Sequence, residues 1–306
     1  MLKMRDLVAR NWFFLGLVCI VLLGIFFPAI GLSLKPWVNG IVFCGMLLIG
    51  FRFERSELFH SLRNGRAIGL CLVFSFILMP ALSLLLARIF FSDDPEMFAG
   101  VILAGAVPTT QASSVIWTDM AGGNHALSMV LMTVMNLCGV FVSPLILSLS
   151  LGKTADVPVG AMLQTLLCFI LLPVLLGQLV RRFFPRIPKK VHRASRVLSI
   201  GIVWITVLTA LSSGDVLSLP LVRVLACVAL QYVSMAALSY WGALFVGLPK
   251  RDAIAVMFCS AQVTITFAAV VGFSYFTPRC IIYVVVYHLF QQFMGQVTAR
   301  RLRPVE

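Results

Sequence analysis

The feature that most constrains this chain is a succession of ten apolar runs. They lie at about 12–30, 36–51, 67–91, 97–118, 124–150, 158–184, 194–213, 218–248, 251–276 and 279–299, divided by charge clusters, prolines and glycines. A helix crosses a bilayer with about 20 mostly apolar residues, so ten such runs predict ten crossings. Hydrocarbon leaves no backbone polar group solvated, and no alternating ten-residue pattern marks a barrel, so the crossings read as helices. Composition agrees: 60% of the 306 residues are hydrophobic and 11% charged, where a soluble domain carries about 25% charged residues. A soluble enzyme, a nucleic-acid module and a disordered chain are excluded.

The net charge of +13 is a topology signal. Placing the N-terminus in the cytoplasm leaves Lys35, Arg88, Lys153, Arg223 and Arg279 outside and the other 19 of the 24 Lys and Arg residues inside. The expectation is a multi-pass protein of the plasma (inner) membrane with both termini cytoplasmic. Its surroundings are the lipid bilayer, and no nucleic-acid partner is expected. The basic N-terminus runs into the first apolar stretch with no small-residue cleavage site, so a retained first helix is expected. Cys19, Cys44, Cys71, Cys138, Cys168, Cys227, Cys259 and Cys280 have neither disulfide-framework nor zinc-site spacing and read as small apolar fillers.

The residues around Gly152 to Pro158 divide five helices from five. An odd number per half inverts the second relative to the first, a recurrent carrier plan with the binding site near the midplane on interrupted helices. The polar anomalies match it. In the fourth run, Pro108-Thr109-Thr110-Gln111-Ala112-Ser113-Ser114 sits at mid-span, and Pro108 removes a backbone hydrogen bond. In the ninth, Ser260-Ala261-Gln262-Val263-Thr264-Ile265-Thr266 sits at corresponding depth, without a proline. A broken crossing helix offers carbonyls from one half and N–H groups from the other, suited to a small hard cation and to an anion. The bland alternative is that these hydroxyls bond back to their own helix and Gln111 and Gln262 bond neighbouring helices.

Two further helices carry polar stripes. Ser128, Met132, Asn136, Gly139 and Ser143 share one face of the fifth run, and His288, Gln291, Gln292 and Gln296 one face of the tenth. These serve either a site or helix-to-helix packing, and His288 is either a proton carrier or a hydrogen-bonded structural residue. None of the eleven carboxylates lies in the middle of a run, which speaks against carboxylate-based proton coupling and an aspartyl protease. No phosphate-binding glycine loop is present. The chain does not read as an enzyme, and no cofactor is expected.

Val107 to Asn124, VPTTQASSVIWTDMAGGN, together with Phe258 to Gln262, FCSAQ, and Tyr287 to Gln292, YHLFQQ, resembles the bile acid:sodium symporter superfamily, and within it the SBF-like branch. The resemblance implies ten helices in two inverted five-helix repeats, 12–150 and 158–300, with helices four and nine discontinuous and crossing. Core helices would span 67–150 and 218–299, and panel helices 12–51 and 158–213. It further implies sodium-coupled uptake of an organic anion, with candidate sodium ligands near Ser113, Ser114, Ser128 and Asn136, and Ser260 beside them. The superfamily's acidic residue on the ninth helix falls at Cys259 or Ser260 here, a glutamine on the third at Ser75, and a fifth-helix hydroxyl at Met132.

The resulting expectation is a secondary transporter of a small organic anion, working by alternating access, with Na+ as a possible coupling ion. Pro108, Thr109, Thr110 and Gln111 form one wall of the substrate site, and Gln262, Thr264, Thr266, His288 and Gln292 the other. Two other readings stand beside it: a non-transporting membrane regulator or scaffold on the same fold, and a metalloid or auxin-type efflux carrier. Substrate identity and oligomeric state have no signature in the sequence.

Overall fold

The computed structural model describes residues 16, 19–52, 64–110, 112–152, 158–183, 189–213 and 219–303, and among them there is helix and no strand. The helices are α1 (19–26), α2 (Pro28–Leu34), α3 (Val38–Arg52), α4 (Gly65–Phe91), α5 (Pro95–Ala106) and α6 (Ser113–Met120). They continue with α7 (His125–Leu151), α8 (Val159–Phe183), α9 (Lys189–Ser213), α10 (Leu221–Phe245), α11 (Lys250–Ala261), α12 (Ile265–Tyr275) and α13 (Pro278–Leu302).

Among the described residues, seven helical stretches are long and apolar enough to cross a membrane, counting Pro28–Phe51 and Lys250–Tyr275 as one each, while Pro95–Ala106 and Ile200–Ser213 are shorter apolar helices. The chain is thus an all-helical, multi-pass membrane protein. The first predicted boundary shifts. The helix breaks at Phe27, because Pro28 cannot donate an N–H to continue it, and the chain then runs helically through the tight turn Lys35–Trp37 into α3. Prolines also mark two widened turns, Phe74–Leu78 before Pro80 in α4 and Leu167–Leu171 before Pro173 in α8. A ring that withholds its N–H strands the carbonyl a turn earlier, and an i→i+5 turn absorbs the mismatch.

One continuous apolar core joins the helices, with Phe91, Tyr283, Tyr287, Phe267 and Tyr232 among its largest buried side chains. The α11–α12 stretch is buried from Ala253 to Gly272 except at Thr266, so the ninth run lies at the centre. Around it pack α4, α5, α6, α7, α10 and α13, while α8 and α9 pack on α3 and, together with it, on the α12 half of the stretch. Contact of α3 with α8 is backbone to backbone: Gly50 faces the Val174 carbonyl and Gly177 the Leu47 carbonyl, and neither position has room for a Cβ.

Two polar clamps close the bundle at its ends. At one end the Asp252 carboxylate, in the first turn of α11, accepts from Asn64 Nδ2 and Asn124 Nδ2, both at 2.8 Å. Each asparagine uses its own Oδ1 to cap α4 or α7, supplying an acceptor to N–H groups with no intrahelical partner. At the other end Asp93, Asp94 and Glu96, where α5 begins, hold Arg223 of α10 and Arg279 of α13. Arg223 also donates to the Phe90 carbonyl and lies 5.4 Å over the Phe91 ring. The bidentate Arg223 contact holds the Asp93 carboxyl below its ordinary range.

Candidate functional site

Both predicted interruptions are present. α5 stops at Ala106 because the next residue, Val107, is extended at φ −87, ψ 147, the conformation a following proline imposes. α11 stops at Ala261, with Gln262 extended at φ −96, ψ 137 and Thr264 at φ −85, ψ 120, although no proline is there. The two unwound segments meet: the Thr264 N–H donates to the Pro108 carbonyl at 2.8 Å. Each broken helix thereby supplies a partner to a group the other break left stranded.

Side chains from the neighbouring continuous helices complete the pairing. Gln291 of α13 lays its amide along the Val263 peptide, accepting from Val263 N at 2.8 Å and donating to Val263 O at 2.9 Å. The Tyr287 hydroxyl donates to the Ala261 carbonyl at 2.8 Å. At the other break Asn136 of α7 donates to Thr109 O at 3.2 Å and to Met132 O at 2.8 Å. Gly139 lets α7 approach: a Cβ there would stand 2.7 Å from the Pro108 ring. Gly295 does the same for α13, where a Cβ would stand 2.7 Å from the Trp117 indole and 3.0 Å from Gln262 Nε2.

The breaks bring together a cluster of polar side chains that holds no carboxylate, Lys or Arg. Gln262, 1% exposed, accepts through Oε1 from Thr110 at 3.2 Å and Ser113 at 2.9 Å. Thr110 and Ser113 are themselves 2.7 Å apart. Gln292 joins them, 3.2 Å from Ser113 Oγ, 3.3 Å from the Trp117 indole N–H and 3.3 Å from His288 Nε2. His288 Nδ1 lies 2.8 Å from Gln291 Nε2. Thr109 Oγ1 and Asn136 Oδ1 are buried without a hydrogen-bond partner, and Gln262 Nε2 makes no bond of good geometry, with the Tyr232 hydroxyl the group that faces it.

The candidate ligands therefore separate into three groups. Thr110, Ser113, Gln262, His288 and Gln292 form one network. Ser114 and Ser128 form a second. Ser114 bonds back to Thr110 O at 2.9 Å, and Thr118 Oγ1, donating to Ser114 O at 2.7 Å, lies 3.2 Å from Ser128 Oγ. Ser128 Oγ in turn is 3.4 Å from Cys259 Sγ. Ser260 belongs to a third, facing Cys71 at 3.4 Å, with Ser75 behind that thiol at 4.0 Å. Thr109 and Asn136 border the chamber with their unpartnered oxygens. Thr264 contributes its backbone, Thr266 lies in the first turn of α12, and Gln111 falls outside the described residues. Trp117 and Tyr287 were not singled out from sequence as site residues, since an aromatic in an apolar run reads as core, and Cys259 was reached only as a position of the superfamily's acidic residue. For Gln291 the polar stripe was the available signal.

Comparison with known proteins follows this geometry. The model of the SBF-like CPA transporter family matches residues 11–304. "Uncharacterized protein PA2026" of Pseudomonas aeruginosa is 28% identical over 267 residues, 82% of this chain and 79% of that protein. "Uncharacterized sodium-dependent transporter YocS" of Bacillus subtilis is 29% identical over 213 residues, 68% of this chain and 64% of that one. "Sodium/bile acid cotransporter 7" of Danio rerio is 23% identical over 276 residues, 85% and 82% of the two chains. With a family match over nearly the whole sequence and two broken helices meeting at its centre, the chain belongs to the SBF-like CPA transporter family, within the bile acid:sodium symporter group of membrane transporters.

Proposed function

We propose that the chain is a secondary active transporter of a small organic anion, working by alternating access about the crossing of α5–α6 with α11–α12. The observation that carries this reading is the meeting of the two breaks in a cluster of neutral polar side chains, where the amide and ring N–H groups of Gln262, Gln292, Trp117 and His288 gather on one side. Gln262 Nε2 has only the Tyr232 hydroxyl facing it, and Gln292 lies between two ring nitrogens, those of Trp117 and His288. Donors aimed into a dry site favour a ligand bearing acceptors, a carboxylate above all. Neutral donors achieve this without burying a permanent charge at mid-membrane.

The architecture we infer is ten crossings in two inverted repeats of five, with α5–α6 and α11–α12 as the fourth of each. The clamps support it. At each end, the start of one repeat's broken helix ties together the starts of the third and fifth helices of the other: Asp252 with Asn64 and Asn124, and Asp93, Asp94 and Glu96 with Arg223 and Arg279. In this reading the Asp252 end, where the Lys- and Arg-rich connections lie, is cytoplasmic.

For the coupling ion we propose sodium, on the acceptor-rich side of the crossing. The unpartnered Asn136 Oδ1 and Thr109 Oγ1 fit a hard cation, with Ser114 and Ser128 nearby. Ser113 and Ser260 turn toward Gln262 and Cys71 instead. The thiol of Cys259 beside Ser128 is neutral and soft, a poor sodium ligand, so the ion is held by neutral oxygens and its affinity is low. Purified protein in sealed vesicles, offered a panel of small labelled carboxylates, should accumulate one of them faster with a sodium than with a potassium gradient. Equal uptake in the two salts refutes the coupling, and no uptake of any member refutes the carrier reading.

A further inference from the structure

The orientation of the Gln291 amide is fixed by its surroundings. With Oε1 on Val263 N–H and Nε2 on Val263 C=O, both contacts are donor-to-acceptor. Turning the amide over would set N–H₂ against N–H and C=O against C=O, two repulsions in a buried site. The second Nε2 hydrogen then points at His288 Nδ1, 2.8 Å away. The ring has two partners in reach, the Gln291 amide at Nδ1 and the Val263 carbonyl; with the second Gln291 hydrogen on Nδ1, that nitrogen carries no proton and the imidazole proton sits on Nε2.

This has a consequence at the next side chain. The Trp117 indole can only donate, and so can His288 Nε2–H. Both approach Gln292, the indole at its Oε1 and the imidazole at its Nε2, each at 3.3 Å. An amide has a single oxygen, so neither of its orientations accepts from both rings. One ring N–H is always left over. His288 is 4% exposed and Gln291 fully buried, so water does not readily absorb the surplus.

We propose that Gln291 is a positioning residue which, through the Val263 peptide, locks His288 as its Nε2–H tautomer and so presents the chamber with a leftover N–H for the carboxylate of a ligand. The proposal rests on the anion reading of the chamber for its second half only. The shape of the α12 entry and the proton position on His288 are thus set by the same side chain.

The test uses the full-length protein in lipid nanodiscs with ¹⁵N-labelled histidine, the His288 signals being assigned by their loss in His288→Gln. The expected spectrum shows an unprotonated, pyridine-type Nδ1 and a protonated, pyrrole-type Nε2. Gln291→Glu, which offers an acceptor to Nδ1–H, should move the proton to Nδ1, and Gln291→Leu should leave a mixture. A wild-type His288 protonated on Nδ1, or one unaltered by both substitutions, overturns the proposal, and the wild-type spectrum decides even where a variant does not fold. Thermal stabilisation by potassium acetate, with acetamide as the uncharged control, tests the ligand half. The expected result is an acetate response in the wild type, weakened roughly tenfold or more in apparent affinity by Gln291→Glu. An Nε2–H tautomer with no preference for acetate over acetamide overturns the carboxylate assignment and leaves the tautomer standing.

Discussion

At the residue scale, single polar side chains serve several helices at once, and Asp252 is the clearest. Its two oxygens receive the side chains of Asn64 and Asn124, each already occupied in capping a helix. Two charge-assisted bonds at a half-buried site, at about 1.5–3 kcal/mol each before discounting for solvent, put the loss in Asp252→Ala at about 2–4 kcal/mol. Asp252→Asn keeps one acceptor and should lose about half of that. Thermal unfolding of the purified variants gives the order, and an Asp252→Ala protein as stable as the wild type removes the clamp from the account. Sequence reading reached Asp252 only as a carboxylate away from the middle of its run. Its partners are 188 and 128 residues away, a separation that no local pattern encodes. Pro108 was legible because its effect is local and covalent. Gln291 was legible only as one of a stripe, since its partner is a peptide group, and every residue of the chain has one of those.

At the level of elements, the two breaks reach one geometry by different routes. The first has a proline and the second does not, yet Val107, Gln262 and Thr264 are all extended. What they share is tertiary pairing: Thr264 N to Pro108 O, Gln291 to Val263 and Asn136 to Thr109. Breaks are therefore held by what satisfies the freed backbone groups, and proline is an aid. Pro108→Ala should leave the segment unwound and cost at most about 1 kcal/mol, the scale of a proline replaced at a site its ring already fits. Gln291→Leu, which strands both polar groups of the Val263 peptide, should cost about 2–5 kcal/mol. Amide exchange across 106–112 and 261–265, with thermal unfolding alongside, separates the two, and helical protection spreading through 107–112 in Pro108→Ala would show that the proline alone made the break. The hydroxyl run without a proline was ambiguous in the sequence for the same reason: its unwinding depends on Gln291 and Tyr287, which arrive from a later helix.

Across the whole molecule, the apolar runs carried the membrane class, because lipid imposes it on composition and length, and the polar stretches within two of them marked where both helices break. They carried nothing about which side of the crossing is open. That emerges from packing alone. The outer half of the ninth crossing, α12, is covered by α3, α8 and α9, and Tyr275 shares a 2.7 Å hydrogen bond with Thr165 of α8. The inner half of the fourth crossing, α6, packs on α7, α11 and α13, and on its remaining side Ala112, Ile116 and Met120 are exposed. On the proposed orientation, with the Asp252 end cytoplasmic, the exposed face of α6 beside Ala112 and Ser113 would be reached from the cell interior while α12 stays covered, an inward-facing arrangement. A membrane-impermeant maleimide should then label Ala112→Cys in inside-out vesicles and not in right-side-out ones. Val270→Cys, buried on α12, should be silent from both sides, with the wild type labelled in parallel to account for its own cysteines. Adding the transported anion and sodium together should slow labelling at Ala112→Cys, since a carrier that closes over its cargo leaves this state. Reaction of Ala112→Cys from the outer face only would reverse the assignment of open and closed sides, whatever the identity of the cargo.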